Sequence, residues 1–213
     1  MASAGSESTL KAQNQKYLVA FVGLNIVVFF GLVLGVSADW DVASRETLGA
    51  VVASTLTGAL AIVLNGLVGG NAKAVLVFWR IRNPLPGCRA FSVHMHTDSR
   101  IDPEVLKQHY GPFPETEEQQ NRLWYRLFQV HTTTPSVLDA HRSYLLTRDL
   151  AVMSGLFLVA LGPTAFVLAD ARDWAVIYAL SLALLFLSAC HAARTYGKRL
   201  VTNVLAIESA SAT

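Results

Sequence analysis

The sequence predicts an all-α membrane protein: four transmembrane helices arranged as two hairpins, with a small, mostly helical insert between the second and third spans. Three observations lead there. The 213 residues are 53% hydrophobic and only 15% charged, whereas an average soluble domain carries about 25% charge. The apolar residues gather in four long blocks, the pattern of a membrane protein and not of a rich soluble core. The Lys and Arg residues fall almost wholly on one side of those blocks.

The first block, Tyr17 to Val36, contains no ionisable group beyond Tyr17. The others run from about Leu48 to Val68, from Leu150 to Leu168 and from Trp174 to about Ala192. Each approaches the ~20 residues that cross about 30 Å of hydrocarbon as a helix, and in lipid a backbone that satisfies its own hydrogen bonds is helical. Val36-Ser37-Ala38 loosely resembles a signal-peptide cleavage site. The apolar region before it is about 20 residues long, beyond the 7–15 usual for signals, so the first block is read as a retained span.

Of seventeen basic residues, all but Arg45 and Arg172 lie in the N-terminal tail, the 71–148 segment and the C-terminal tail. The two short connections hold Asp39, Asp41, Glu46, Asp170 and Asp173. By the positive-inside rule both termini and the long segment are cytoplasmic, with Trp40 and Trp174 at the outer interface and Trp79 at the inner one. The expected organisation is a cytoplasmic tail over 1–16, a hairpin over 17–70, a cytoplasmic segment over 71–148, a second hairpin over 149–193 and a C-terminal tail over 194–213. The small, polar termini are expected to be disordered.

No Asp, Glu, Lys, Arg or His lies in the middle of a span, which argues against an ion-coupled transporter. The second span carries Gly49, Ala53, Thr57, Ala61, Asn65 and Gly69 every four residues, on one slowly spiralling face. Small residues let helices approach closely, and Thr or Asn can hydrogen-bond across the contact. The stripe therefore packs against another span, assembles an oligomer, or lines a water-filled path; Asn25, Ser181 and Ser188 are candidates to face the same interior. Gly69-Gly70 is expected to end or kink the helix. The following AKAVLVFWRIR reads as a juxtamembrane stretch with Trp79, Arg80 and Arg82 at headgroup level.

Asn83-Pro84-Leu85-Pro86-Gly87 makes a turn. Residues 89–97 alternate, with Phe91, Val93 and Met95 on one side and Ser92, His94 and His96 on the other, predicting a strand-like piece. Asp102 caps a short helix that starts at Pro103 and stops at Gly111. Thr116 and Gln119 have capping-box spacing and open a helix, EEQQNRLWYRLFQVH, with an apolar face of Leu123, Trp124, Leu127 and Phe128. Thr134-Pro135 starts a helix that runs through His141, Tyr144 and Leu145 into the third span. Trp124, Tyr125 and Phe128 are aromatic enough for a partner interface, and packing the segment's own small core is the alternative.

The candidates for chemistry are few. His94, His96 and Asp98 would converge on a metal only with a second ligand cluster, which the sequence lacks; no metal and no cofactor is expected. Arg89 with His94, and Arg126 with His131, have the Arg-x4-His spacing of the HEPN ribonucleases, in which Arg grips a phosphate and His handles a proton. Only Arg126 and His131 fall on a predicted helix. The alternative for them is a surface Arg and a helix-end His favoured by the dipole. Cys88 and Cys190 are too few for a disulfide framework and fall on the reducing side. The net charge of +2 gives no reason to expect nucleic acid.

FWRIRNPLPGCRAFS, RLWYRLF and HRSYLLTRD, the last leading into a span, resemble stretches of small four-span bacterial membrane proteins of antiphage-defence type. The resemblance implies a membrane accessory subunit or pore effector that works with a cytoplasmic protein or a signal. Three functions follow: a non-enzymatic, homo-oligomeric inner-membrane subunit that anchors or signals to a cytoplasmic partner; a gated, membrane-permeabilising pore; and a membrane-tethered HEPN-like ribonuclease.

Overall fold

A computed structural model describes residues 2–29, 59–168 and 172–212. The described residues form helices and turns, with no strand among them. The helices are α1 (Ala2–Val28), the described part of α2 (Ala59–Leu67), α3 (Gly70–Phe78), α4 (Pro103–Tyr110), α5 (Glu117–Val130), α6 (Pro135–Leu168) and α7 (Arg172–Ser211).

The expectation of four spans is met in part. Among the described residues two helices are long and apolar enough to cross a membrane, α6 over Pro135–Val167 and α7. The pair α2 and α3 passes only if its two pieces count as one broken span. The break falls at Val68 and Gly69, where the double glycine was expected to interrupt the helix. The outer half of the first block and the start of the second, with Gly49, Ala53 and Thr57, lie outside the described residues.

The chain divides into two compact units. The first comprises Met1–Lys11, Gly70–Arg148 and Cys190–Thr213. Its helices start where local chemistry dictates. The Asp102 side chain accepts from the amides of Glu104 and Val105, Pro103 follows, and α4 ends at Gly111 with φ 77°. Thr116 Oγ1 accepts from the Gln119 amide to open α5. Helix α3 stops at Trp79, whose positive φ of 52° costs a non-glycine residue about 1–2 kcal/mol. The Arg194 guanidinium lies 3.9 Å from the Trp79 ring centre and its Nε donates to Val77 O at 2.5 Å, so one side chain both stacks on the strained residue and caps the helix.

Residues 89–97 do not form a strand. Two short 3-10 helices, Pro86–Arg89 and His94–His96, flank a turn. The apparent alternation breaks because Val93 is exposed and His94 is buried. The backbone amides that a neighbouring strand would pair are met otherwise. Phe91 N, Ser92 N and Ser92 Oγ all donate to Oε1 of Gln120 on α5, and Met95 N donates to Ala90 O.

The C-terminal tail is likewise ordered, against expectation. Helix α7 continues to Ser211, and Leu200, Val201, Val204, Leu205 and Ala206 are buried in the first unit's core with Leu106 and Val137. Polar anchors flank that apolar run. Asn203 donates to Ser136 O and accepts from Arg100, Ser209 accepts from the Asp102 amide, and Glu208 takes hydrogen bonds from both Tyr110 and His131.

The second unit comprises Ala12–Gly69 and Asp149–Ala189. Phe21 stacks on Phe157 and Phe29 meets Tyr178 edge-on. Exposed Leu180, Leu184 and Leu187 on α7, and Val159, Phe166 and Val167 on α6, are the outward apolar surface that a helix in lipid presents.

Replacing Gln120 removes the one acceptor for two backbone amides. Each orphaned buried amide costs about 1–3 kcal/mol, so Gln120→Ala is expected to lower the thermal transition of the detergent-solubilised chain and to speed hydrogen exchange at Phe91 and Ser92 before other amides.

Candidate functional site

Helix α5 builds the candidate site. Gln120, Trp124, Leu127 and Phe128 form its buried face, which is the i, i+4 geometry of a helix covering a core. Trp124 and Phe128 stack at 5.4 Å, Phe128 meets the His141 ring edge-on at 5.1 Å, and half-exposed Tyr125 tilts against Phe128 at 6.0 Å. A Cβ on Gly87 would stand 2.5 Å from the Trp124 ring and from Asn121 Oδ1, so only glycine lets the Pro86–Arg89 turn reach α5. Between these groups opens a cavity of about 200 Å³, walled by Trp124, Tyr125 and Phe128 of α5 and His141, Tyr144 and Arg148 of α6.

The three aromatic residues expected at an interface thus share one cavity. The opposite wall, from α6, had no signal of its own in the sequence. Trp124 Nε1 is buried with no hydrogen-bond partner among the described residues. The Arg148 guanidinium lies 5.6 Å from the Tyr144 ring centre. The cavity therefore combines a flat aromatic wall and a cation. It suits a side chain or small molecule with an apolar body and an acceptor tip.

The described part of the small-residue stripe divides. Ala61 is buried, and Asn65 Nδ2 donates to Oδ2 of Asp149 at 3.1 Å. Gly66 and Gly69 are exposed, and a Cβ added to either would meet nothing within 4 Å among the described residues. Asn25 is buried and bonds Phe21 O. Ser181 and Ser188 are exposed, and Ser181 Oγ bonds Ile177 O of its own helix. Asp149 is a buried carboxylate that sequence reasoning passed over, because it sits at the edge of the third block and its partner is 84 residues away.

The remaining candidates scatter. Among the described residues no three His, Cys, Asp or Glu side chains are placed to hold a metal. His94 is buried, His96 is exposed, and both oxygens of Asp98 are bound by Arg100, which holds that carboxyl down to about 2. Arg126 is exposed on α5, whereas His131 is the C-cap residue beyond it, with Nε2 engaged by Glu208. That geometry lends the ribonuclease reading no support. Cys88 is buried, and burial pushes its thiol up and away from reactivity.

His94 carries a pH dependence. Burial, and then the charges of Arg89 and Lys198, hold its imidazole down to about 4. The unfolded chain binds the proton more readily, with a pKa near 6.5. Stability from this group is therefore full above about 6.5 and lost as pH falls towards 4. Thermal unfolding should show that slope in the wild type and a shallower one in His94→Gln. At the neighbouring turn, Gly87→Ala is expected to cost about 1–3 kcal/mol of stability through overpacking, read by the same unfolding measurement. Comparison of the chain with protein-family models, curated proteins and solved structures finds no match.

Proposed function

We propose that the chain is a non-enzymatic, homo-oligomeric subunit of a bacterial inner membrane, with both termini and the 71–148 segment cytoplasmic, that docks a cytoplasmic protein. The single observation that carries the reading is the cavity walled by Trp124, Tyr125 and Phe128. Tyr125 is 51% exposed at a site whose other rings are already packed, and such half-buried aromatics beside a preformed pocket are what interface anchors use. The one-sided distribution of Lys and Arg supports the orientation. Among the described residues nothing lies within 4 Å of a Cβ built on Gly66, Gly69 or Gly70, which supports the close approach of another helix and self-association. The resemblance to small antiphage-defence membrane proteins supports a partner from such a system.

The full chain, tagged and extracted from its own membranes, should run as an oligomer with a stoichiometric soluble protein. Tyr125→Ala should release that protein by tenfold or more, about 1.4 kcal/mol, and leave the oligomer intact. A strict monomer with no co-purifying protein would overturn the proposal.

A second reading, a gated pore, is favoured by the pair of Asn65 and Asp149, a polar contact between the second and third blocks. Ionisable groups beside membrane spans commonly face a hydrated interior. On that reading Asn65→Leu alters the conductance of the reconstituted chain in planar bilayers; bilayers that stay silent under every stimulus remove it.

A further inference from the structure

The aromatic cavity is small, and the charge around it has one sign. At about 200 Å³ it falls below the roughly 300–1,000 Å³ of pockets that bury drug-sized ligands. It suits one large side chain. Its walls are set without an occupant: Gly87 packs against Trp124, Trp124 stacks on Phe128 at 5.4 Å, and Phe128 meets the His141 ring at 5.1 Å. An aromatic or large aliphatic side chain buries apolar area against those rings.

The rim narrows the occupant further. Asn121, Tyr125 and Gln129 line the cavity at four-residue intervals along one edge of α5, about 12 Å of helix. Their neutral groups can bond the backbone of an extended segment of about four residues. Among the described residues Arg148 is the one Lys, Arg, Asp or Glu in the lining, and its guanidinium lies 5.6 Å from the Tyr144 ring centre. Beside lining residues in sequence stand Arg122, Arg126 and Arg142, the first two exposed. Neither stretch that walls the cavity, 121–132 or 141–148, holds an Asp or Glu. Glu117 and Glu118, at the start of α5, already take hydrogen bonds from Arg80 and Asn83. A basic partner meets like charge here, whereas an acidic one is steered and held by it. Resting on the docking reading above, we infer that the cavity receives one large apolar side chain from an acidic segment of the cytoplasmic partner. The segment lies extended along α5, with its carboxylates towards the arginines.

The probe is a short fluorescein-labelled peptide with one central phenylalanine among glutamates. Its binding to the purified full chain in a neutral detergent is read by anisotropy. Two matched peptides replace the phenylalanine by alanine, or the glutamates by lysine. Wild type should bind the first peptide at least tenfold more tightly than either, and added salt should weaken that binding. Tyr125→Ala should weaken it about tenfold, and the double variant Arg122→Gln, Arg126→Gln about threefold or more. All three side chains are exposed, so these variants leave the core alone. Equal binding of the alanine peptide would reduce the contact to charge, and equal binding of the lysine peptide would reduce it to apolar surface. Either result, or no binding, overturns the acidic occupant. Retention of phosphatidylglycerol in native mass spectrometry without peptide binding assigns the arginines to lipid and overturns it as well. If the peptide fails while Tyr125→Ala still releases a co-purifying protein, the docking reading stands and only the acidic occupant falls.

Discussion

Helix α7 has to satisfy two environments with one continuous backbone, and the first unit is organised by how it does so. Its N-terminal half turns Leu180, Leu184 and Leu187 outward, as lipid requires of a spanning helix. Its C-terminal half buries Leu200, Val201, Val204 and Leu205. Within that half the helical period sets which residues face the first unit's core. Asn203, Glu208 and Ser209 then fall where Ser136, Arg100, Tyr110, His131 and Asp102 can meet them. Loss of that contact would leave α4 and the ends of α5 and α6 with unpaired polar groups as well as an open core.

The aromatic cavity is a consequence of the same packing. The Pro86–Arg89 turn is packed from two sides: Gly87 leaves no room for a Cβ against α5, and Gly197 of α7 sits close against Phe78, Tyr144 and Pro86. A turn squeezed between two helices cannot also fill the space between α5 and α6 beyond it. That space is left to rings, which are flat and stack without filling volume in every direction. The cavity is thus a residue of tight packing at two glycines, and its walls are fixed before anything occupies it. A preformed pocket of this kind loses little conformational entropy on binding.

Much of the helical framework was legible because caps and stops are local chemistry. Asp102-Pro103, Thr116 with Gln119, Thr134-Pro135, Gly111 and Gly69-Gly70 each mark a boundary found in the structure. The site was half legible: Trp124, Tyr125 and Phe128 share a helix face, while His141, Tyr144 and Arg148 read only as the run-in to a span. Residues 89–97 misled because alternation over so few residues does not separate a strand from a turn. Phe91 and Met95 are buried there, but through two 3-10 turns with His94 buried between them. The C-terminal tail misled for a different reason. Asn203, Glu208 and Ser209 lower its hydropathy, and their placement, buried for Asn203 and Ser209 and half-buried for Glu208, depends on partners about 70 to 110 residues distant in the chain, which no window of sequence contains.

Three of the four unmet buried side-chain nitrogens described in the first unit, Trp124 Nε1, Arg89 Nε and His94 Nε2, lie in or against one segment, the fourth being Arg194 Nη2 on α7; native structures leave few such groups. The segment Pro86–His96 touches all three: it carries Arg89 and His94, and its glycine presses on the Trp124 ring. Its backbone polar groups, by contrast, are well satisfied, through Gln120 and through its own turns. A segment that meets its amides so fully while leaving side-chain nitrogens unpaired is not merely ill-packed. Its backbone is held by Gln120 and by its own turns, while Arg89 Nε and His94 Nε2 are enclosed without a partner among the described residues.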